Sequence, residues 1–514
     1  MEFSLDRSQE SEQMPQAMDS SSLRPAFMVS APGKVIVYGE HAVVYGKAAI
    51  AAAISLRSYL RVTFLPKSNR IISLCSPDID LDYTWNIDGL PWDTVVHNRW
   101  GQDCEFITTL DLNLVEDLQP HIKAISPNLP DRTRKIHQSA AFAFLYLFLL
   151  LGSQRGSDPC VYAVRSTIPV GAGLGSSASL AVCISTALLL QAGALKKPPR
   201  SNQPTRETET QINLINKWAF VAEMCIHGNP SGVDNTVSSG GKAVLYQKKD
   251  PLHPPVVIPL QRFPELPLLL VNTREPRNAS KEIAKVRNLR DKYPLIVDRV
   301  LNAIGSTAES AYGLISAHDF DPKHVLAQQH LGDLLAINHA LLASLGVSHP
   351  KLERVRELVE QLEIGWMKLT GAGGGGCAIV LPQPGVEIHN HHQSNKRGPG
   401  VSAATSAVTD ELLETSKKLP RASSVQKVAD LHQMLAEEGM EAFTTTLAGD
   451  GVGMLWPAVL RDASSGESSI ETGHDRFMRL EGNDAIESLI GMYMTLSNGE
   501  AMVGCTDGWR FWKR

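Results

Sequence analysis

The chain has 514 residues, of which 43% are apolar and 20% charged, and its formal net charge is −5 at neutral pH. This composition is typical of a globular protein with room for roughly two to four domains, and it excludes a fibrous or wholly disordered chain. No basic stripe and no basic patch interleaved with aromatic residues occurs, so nucleic acid is not expected as a partner.

The seven cysteines are scattered along the chain and include no C-x-x-C pair. An odd, scattered set is typical of buried thiols in a reducing compartment, not of a disulfide framework or a zinc site. Residues 1–24 are polar and lack the basic start and apolar core of a secretory signal, so they are predicted to form a disordered tail. These features together predict a cytoplasmic protein.

The ordered region is predicted to begin near Pro25 with a strand, a turn at Pro32-Gly33 and a second strand that ends at Glu40 and His41. Further strand-like runs follow, then a helical pattern over 131–152 and a strand over 160–167. Strands followed by strands, with helices interspersed, indicate an α+β fold.

Two apolar stretches, residues 140–152 and the segment after Ser177, were tested as membrane spans. The first is shorter than the roughly 20 apolar residues that a spanning helix needs. The second is interrupted by Ser179, Thr186 and Gln191. Both stretches are therefore predicted to be buried helices, and no membrane span is expected.

In the second half of the chain, residues 247–267 are rich in proline and are predicted to be a linker, because repeated prolines interrupt helix and strand. Helical patterns continue from about 280 to 363. Residues 383–425 are predicted to be a surface insertion, and 461–514 a C-terminal extension of unassigned role.

A first glycine-rich segment, "IPVGAGLGSSAS", covers residues 168–179. It contains no lysine and therefore is not a P-loop, and Ser176 stands where a dinucleotide fingerprint needs its last glycine. A strand, a glycine loop and a helix beginning at Ser176 and Ser177 are the general arrangement of a phosphate site, where the serine hydroxyls bond phosphate or Mg²⁺. The alternative is a tight turn followed by an N-cap.

A second segment, "TGAGGGGC", matches G-x-G-x-x-G at Gly371, Gly373 and Gly376. The residues after it form a strand pattern, whereas a dinucleotide-binding fold requires a helix there. The segment is thus predicted to be a glycine turn between two strands, and it is either a wall of the site or a tight hairpin.

Charged and acidic residues supply a third set of candidates. Glu223 and Asp234 lie in "EMCIHGNPSGVDNTVSSGG", where a turn brings both carboxylates to one place and hard oxygen ligands suit Mg²⁺. The alternative is that Asp234 braces its own loop. Lys34 opens an apolar strand, where it either lies along the surface or meets a carboxylate or phosphate. For His41 and His227 a structural role is the alternative to ligand binding.

Three histidines of the predicted insertion, His389, His391 and His392, were also considered as metal ligands. No cysteine or carboxylate pattern accompanies them, so metal binding is not expected there.

Four segments taken together resemble the signature segments of the GHMP kinase superfamily, which comprises galactokinases, homoserine kinases, mevalonate kinases and phosphomevalonate kinases. They are "APGKVIVYGEHAVVYGK", "PVGAGLGSSAS", "HGNPSGVDNTVSSGG" and "KLTGAGGGGCAIVL". The "GEHAVVYG" and "IHGNPSGVDN" forms resemble the mevalonate kinases of this superfamily. The resemblance spans about residues 25–460.

The resemblance implies a two-domain α+β kinase. Its N-terminal ATP-binding domain would cover 25–250 and contain a left-handed βαβ unit, and its C-terminal domain would cover 260–460. The implied reaction is transfer of the ATP γ-phosphate to the 5-hydroxyl of mevalonate, with Mg²⁺, in isoprenoid and sterol biosynthesis. A homodimer and feedback inhibition by prenyl diphosphates are implied as well.

The resemblance also assigns roles to single residues. Asp234 is implied as the catalytic base and Lys34 as its neighbour beside the reacting oxygen, while Ser177 and Glu223 are implied as Mg²⁺ ligands. The residues implied around the ATP phosphates are Gly171, Ala172, Gly173, Leu174, Gly175, Ser176, Ser177 and Lys34. The residues implied on the substrate side are Glu40, His41, Arg277, Gly373 and Gly374.

One position departs from the family pattern, because Ala279 stands where the family usually has threonine, and Ser280 follows it. Two other functions stay open beside the kinase just described. One is a GHMP kinase that acts on a different small alcohol, and the other is a catalytically silent relative that binds nucleotide as a sensor. The presence of Asp234, Lys34, Glu223 and Ser177 together favours an enzyme.

Overall fold

A computed structural model of the chain describes residues 24–95, 109–200, 203–249, 255–388, 424–458, 470–490, 494–495, 501–502 and 508–514. Residues 1–23 of the predicted tail lie outside these ranges, as do the three histidines of the predicted insertion. Among the residues that are described, no helix has the length and apolar character needed to cross a membrane.

Strands and helices alternate irregularly along the chain, in the α+β manner that the sequence predicts. The strands are β1 (Phe27–Tyr38), β2 (Ala49–Phe64), β3 (Ile71–Ser76), β4 (Leu81–Asn86), β5 (Cys160–Ser166), β6 (Ala243–Gln247), β7 (Val256–Leu260), β8 (Leu266–Asn272), β9 (Gly365–Thr370), β10 (Cys377–Pro382), β11 (Glu441–Leu447), β12 (Gly453–Leu455), β13 (Met494–Thr495), β14 (Ala501–Met502) and β15 (Trp509–Phe511). The helices are α1 (Leu112–Lys123), α2 (Asp131–Leu151), α3 (Ser176–Gln191), α4 (Arg206–His227), α5 (Val233–Gly240), α6 (Ala279–Lys292), α7 (Pro294–Ser316), α8 (Val325–Ser344), α9 (Pro350–Gln361), α10 (Ser424–Glu437), α11 (Ile470–Arg479) and α12 (Asn483–Ile490).

Strand β2 is the centre of the fold, because it pairs with β1, β5, β6 and β11. We call the strands β1 to β7 with β12 and β15 the first sheet, and β8 to β11 the second sheet. In the first sheet, β3 and β5 run parallel and are connected through α1 and α2. A pair between Leu447 of β11 and Ile54 of β2 joins the two sheets.

The two apolar stretches are buried helices, α2 and α3, as predicted. Both belong to one core cluster with α4 and the first sheet. The polar side chains of α3 that interrupt its apolar run have partners, since Ser179 Oγ donates to Ala31 O at 2.6 Å and Thr186 Oγ1 donates to Val182 O at 2.7 Å. A buried hydroxyl with a partner costs little, so α3 can lie inside the domain.

The short helix α5 packs closely on the sheet because the strand below it is built of small residues. Val233 and Val237 of α5 share a core cluster with Ala51 and Ala53 of β2. Ser238 Oγ adds a hydrogen bond of 2.7 Å to Pro32 O of β1. These contacts hold α5 at a fixed height above β1 and β2.

Two predictions about local structure are wrong. A single strand, β1, runs from Phe27 to Tyr38 with a register shift between Pro32 and Lys34, where a turn was predicted. Strands β7 and β8 occupy most of the predicted linker at 247–267. Pro259 is tolerated in β7 because this strand pairs only with β6 and thus lies at an edge.

The second sheet carries helices α6 to α10. Strand β8 lies between β10 and β11, and β9 and β10 form a hairpin in which Thr370 pairs with Cys377. This hairpin confirms the predicted strand, glycine turn and strand. Apolar residues of the helices, such as Leu301, Leu352 and Leu431, form a core cluster with the sheet.

After β11 the chain returns to the first sheet, which the sequence did not predict. Strand β12 pairs with β1, and β15 pairs with β12. Trp512, which is 1% exposed, donates from Nε1 to Gln211 Oε1 of α4 at 3.1 Å. Thr208 Oγ1 of α4 donates to Lys513 O at 2.6 Å. Residues 508–514 thereby connect the edge of the first sheet to α4.

We expect Trp512→Ala to lower the free energy of unfolding by about 3–5 kcal/mol, because it leaves a cavity where a buried indole packed. Trp456, which is 41% exposed, supplies the matched control, and Trp456→Ala should cost less than about 1 kcal/mol. Urea unfolding followed by circular dichroism measures both. Equal losses would contradict the described packing of residues 508–514.

Candidate active site

Lys34 and Asp234 meet beside the first glycine-rich segment. The Nζ atom of Lys34 lies 3.2 Å from Asp234 Oδ2 and donates to Gly173 O at 3.3 Å. The Lys34 side chain is 7% exposed, whereas that of Asp234 is 33% exposed. The lysine is thus held in place by the protein, and the carboxylate remains accessible to a ligand.

Asp234 is the second residue of α5, whereas the sequence analysis placed it in a loop. The positive end of a helix dipole favours a carboxylate in the first turn. Because α5 packs closely on Ala51 and Ala53, the carboxylate is directed to the side of β1 that bears Lys34.

The glycine-rich loop depends on backbone conformations and on space that other residues do not allow. Gly171, Gly173 and Gly175 have φ values of 76°, 78° and 73°, in the left-handed region. The amide of Lys34 donates to Leu174 O at 2.7 Å, and a Cβ atom on Gly33 would lie 2.7 Å from the same oxygen. Gly33 is therefore needed for β1 to approach the loop this closely.

Helix α3 begins at Ser176, directly after the loop, as predicted. Unpaired amides and the positive dipole end of a helix favour a phosphate at such a position. The predicted phosphate-binding residues, 171 to 177, thus form one continuous turn next to the Lys34–Asp234 pair.

Glu223, Ser177 and His227 form the acidic side of the site. Ser177 hydrogen-bonds to the Glu223 carboxylate, and Ser177 Oγ lies 3.0 Å from His227 Nε2. Glu223 is 3% exposed and its Oε1 atom has no hydrogen-bond partner. Burial raises the pKa of Glu223 to about 7, and the nearby Asp234 raises it further, while Ser177 and Lys34 lower it.

The donor set at Glu223 and Ser177 fits Mg²⁺. A buried carboxylate oxygen without a partner needs a cation, and Mg²⁺ typically takes one or two protein oxygens while phosphates and water supply the rest. No group of three or more His, Cys, Asp or Glu side chains suited to a metal occurs in the described ranges. An all-protein metal cage is therefore not what this part of the chain offers.

Arg277 lies between the two glycine segments. Its guanidinium is the nearest group to the positions that Cβ atoms would take on Gly173 and Gly371. The Nη1 atom is buried and has no hydrogen-bond partner. Burial lowers the pKa of Arg277, and Asp234 opposes this shift. The structure thus brings a second cation to the site, opposite Lys34.

The other predicted substrate-side residues lie around the glycine turn. His41 Nε2 is 2.8 Å from Ala372 O, and burial lowers the pKa of His41. The amide of Gly374 donates to Val347 O at 2.8 Å, and a Cβ atom on Gly374 would lie 2.6 Å from Glu282 Oε1. Gly373 is likewise left-handed, with φ 76°, and packs against Val347.

Glu40 differs from these residues, because its carboxylate is 1% exposed and both of its oxygens have protein partners. One partner is Lys368 of β9 and the other is Asn338 of α8. Burial lowers the pKa of Lys368, and Glu40 opposes that shift. In this arrangement Glu40 supports the turn before His41 and is not itself accessible to a ligand.

Sequence reasoning missed Lys368, Asn338 and the contact between His227 and Ser177. A lysine inside the otherwise apolar strand "GWMKLT" was a usable signal, since a charge in a buried strand needs a partner. Asn338 gave no comparable signal, because an asparagine in a helix is ordinary on an exposed face.

Comparisons with known proteins agree with this geometry. The family described as GHMP kinases N terminal domain matches residues 143–242, and GHMP kinases C terminal matches 326–392. A mevalonate kinase of Aspergillus fumigatus is 49% identical over 96% of this chain and 84% of its own length, and one of Gibberella zeae is 48% identical over 96% and 89%. The crystal structure of the Methanococcus jannaschii mevalonate kinase has the same fold, with a TM-score of 0.54 at 20% identity, covering 84% of this chain and all of that one.

The two matched domains, the glycine loop and the Lys34–Asp234 pair define an ATP-dependent kinase of the GHMP class. Because relatives nearly half identical extend over almost the whole sequence, the chain belongs to the mevalonate kinase family of this class.

The raised pKa of Glu223 predicts how stability depends on pH. Between about pH 4.5 and 7 the folded protein keeps a proton that the unfolded chain has lost, so the free energy of unfolding falls as pH rises through this window. In metal-free buffer we expect Glu223→Gln to remove this part of the slope, and to be more stable than the parent protein at pH 8 by about 3 kcal/mol.

Urea unfolding at pH 5 to 8 in the presence of a chelator measures the slope. Glu265→Gln, which changes a half-exposed carboxylate paired with Lys242, should leave it unchanged. Glu487, whose pKa burial also raises to about 7, contributes equally in every variant, so the difference isolates Glu223. An unaltered slope in Glu223→Gln would refute the assignment.

Proposed function

We propose that this chain transfers the γ-phosphoryl group of ATP to the primary 5-hydroxyl of mevalonate, giving 5-phosphomevalonate and ADP. The observation that carries the proposal is the Lys34–Asp234 pair, because it places an accessible carboxylate and a fixed ammonium directly at the glycine loop. Family membership supports mevalonate as the acceptor, since the Aspergillus relative is a mevalonate kinase.

In the proposed reaction, the 5-oxygen of mevalonate forms a bond to the γ-phosphorus while the bond from that phosphorus to the β,γ-bridging oxygen breaks. The hydroxyl proton passes to Asp234. Phosphoryl transfer proceeds through a loose transition state, so positioning and charge neutralisation supply most of the catalysis. Asp234 orients the hydroxyl and accepts its proton late, and Lys34 stabilises the charge on the transferring group.

We propose that the turn over Gly171, Ala172, Gly173, Leu174, Gly175, Ser176 and Ser177 binds the ATP phosphates. Ser177 and Glu223 would hold Mg²⁺, which bridges phosphate oxygens and neutralises their charge. The buried, unpartnered Oε1 of Glu223 supports this assignment. Because a carboxylate must be ionised to bind a cation, metal binding requires Glu223 to lose the proton that burial favours.

On the acceptor side we propose Arg277, His41, Gly373 and Gly374. The unpartnered Nη1 of Arg277 is suited to the carboxylate of mevalonate. Ala279 begins helix α6 two residues further on, with Asn278 as its N-cap, so the missing family threonine removes one hydroxyl next to this arginine.

Family membership also supports several broader proposals. The N-terminal domain would extend over 25–250 and the C-terminal domain over 260–460, followed by the extension at 461–514. The protein would act as a cytoplasmic homodimer in isoprenoid and sterol biosynthesis, with prenyl diphosphates competing with ATP as feedback inhibitors.

A coupled assay of ADP release with Mg²⁺ and ATP tests the function on a panel of mevalonate, phosphomevalonate, homoserine and galactose. Turnover confined to mevalonate is expected. Turnover of another acceptor would favour a different GHMP kinase. Nucleotide binding without turnover on any of the four would favour a silent sensor.

Asp234→Asn is expected to lower kcat by about 10²–10⁴-fold, because the amide cannot accept the hydroxyl proton. Binding of Mg²⁺ and ATP, measured by calorimetry, should persist, since the glycine loop and Glu223 remain. The matched control is Asp298→Asn, which changes an ion-paired surface carboxylate of α7 and should leave kcat unchanged. Unchanged turnover in Asp234→Asn would disprove the base assignment.

A further inference from the structure

A cluster of buried polar groups lies beneath the turn at Gly39–His41, where the two sheets meet. Lys368 of β9 forms an ion pair with Glu40, and their side chains are 0% and 1% exposed. Lys368 Nζ also donates to Leu369 O at 2.7 Å. The ion pair therefore links the end of β1 in the first sheet to β9 in the second, without contact with solvent.

Asn338 and Thr307 complete the cluster. Asn338 Nδ2 donates to Glu40 Oε2 at 3.4 Å, and Asn338 Oδ1 accepts from the amide of Gly39 at 3.1 Å and from Thr307 Oγ1 at 2.9 Å. Since Thr307 lies on α7, Asn338 on α8 and Lys368 on β9, three elements of the C-terminal half hold one turn of the N-terminal half.

The turn that these groups hold is strained. His41 has φ 60°, a left-handed conformation that non-glycine residues seldom adopt and that persists only where the surroundings fix it. His41 Nε2 contacts Ala372 O at 2.8 Å, and Ala372 lies in the glycine turn that packs against Arg277. A change beneath the turn is thus transmitted to the wall of the acceptor site.

The burial of two charges needs a reason beyond stability. Removing an ion pair from water costs more than a surface pair gains, and apolar side chains of similar size are often no less stable at such positions. What an ion pair supplies that apolar packing does not is one preferred geometry, because the ammonium and the carboxylate must face each other.

We propose that Lys368 is a positioning residue for the acceptor side of the reaction: through Glu40 it fixes the Gly39–His41 turn against the glycine turn that follows β9. This inference rests on the proposed function. It assigns to Glu40 the support of His41 and not a contact with the acceptor. The nucleotide side, built from 171 to 177, Lys34 and Glu223, does not depend on the cluster.

The decisive variant is the double substitution Glu40→Gln/Lys368→Met, which removes both buried charges together. No unpaired charge remains, so the melting temperature should stay within a few degrees of that of the parent protein. We expect the KM for mevalonate to rise about tenfold or more, while the KM for ATP changes less than about threefold. Calorimetry should show the same loss for mevalonate binding in the absence of nucleotide.

The matched control is Asp78→Asn/Arg165→Met, which removes another ion pair with a buried cation, far from the glycine turns. Arg165 also donates to Phe477 O and Leu480 O, so this variant should lose stability and keep both KM values. Lys368→Arg, which keeps a cation opposite Glu40, should retain more mevalonate affinity than Lys368→Met.

An unchanged KM for mevalonate in the double variant would overturn the inference, as would a rise in both KM values that follows the loss of melting temperature in every variant. Should the double variant fail to fold, Asn338→Ser replaces it: mevalonate KM is then expected to rise selectively, and no rise would overturn the inference. Failure of the proposed function looks different, because the parent protein itself would then not turn over mevalonate.

Discussion

The approach of β1 to the glycine-rich loop is the constraint on which the site depends. The amide of Lys34 donates to Leu174 O, and only a residue without a Cβ fits at position 33 beside that oxygen. This one contact sets the loop, the start of α3 and the lysine in a common frame. Every distance from Lys34 to Asp234 or to a phosphate then follows from how α5 and α3 pack on the same strand.

Two kinds of buried polar group occur around this frame. The hydroxyls of Ser179 and Thr186 have partners within α3 and β1, and they allow an apolar helix to lie inside the domain. In contrast, Glu223 Oε1 and Arg277 Nη1 are buried without a partner. A folded chain retains such atoms at a cost, which is consistent with binding a cation and an anion respectively.

Much of the fold and of the site could be predicted from the sequence, because their signals are local. The apolar runs of α2 and α3, the glycine segments and the hairpin of β9 and β10 are legible from residue type and period alone. The errors were of two kinds. Pro32-Gly33 looks like a turn until Leu174 O is present to explain the glycine, and the prolines of 247–267 look like a linker unless the edge position of β7 is known.

What the sequence could not give are the contacts between distant segments. Lys368 meets Glu40 across more than three hundred residues, and Asn338 reaches the same turn from α8. No periodicity or motif links these positions, since each is set by how the second sheet packs against the first. The return of the chain at β12 is of the same kind, because a three-residue strand carries almost no pattern of its own.

That return has a consequence for how the chain acquires its structure. The first sheet is discontinuous in sequence: the partner of β1 at its outer edge is β12, and the partner of β12 is β15. During synthesis from the N-terminus, the outer edge of β1 therefore keeps its amide and carbonyl groups unpaired until the whole second sheet has been made. Unpaired strand edges invite association with other chains, and pairings between distant segments form slowly. The nascent ATP-binding half is thus expected to need protection at this edge until its last strands arrive.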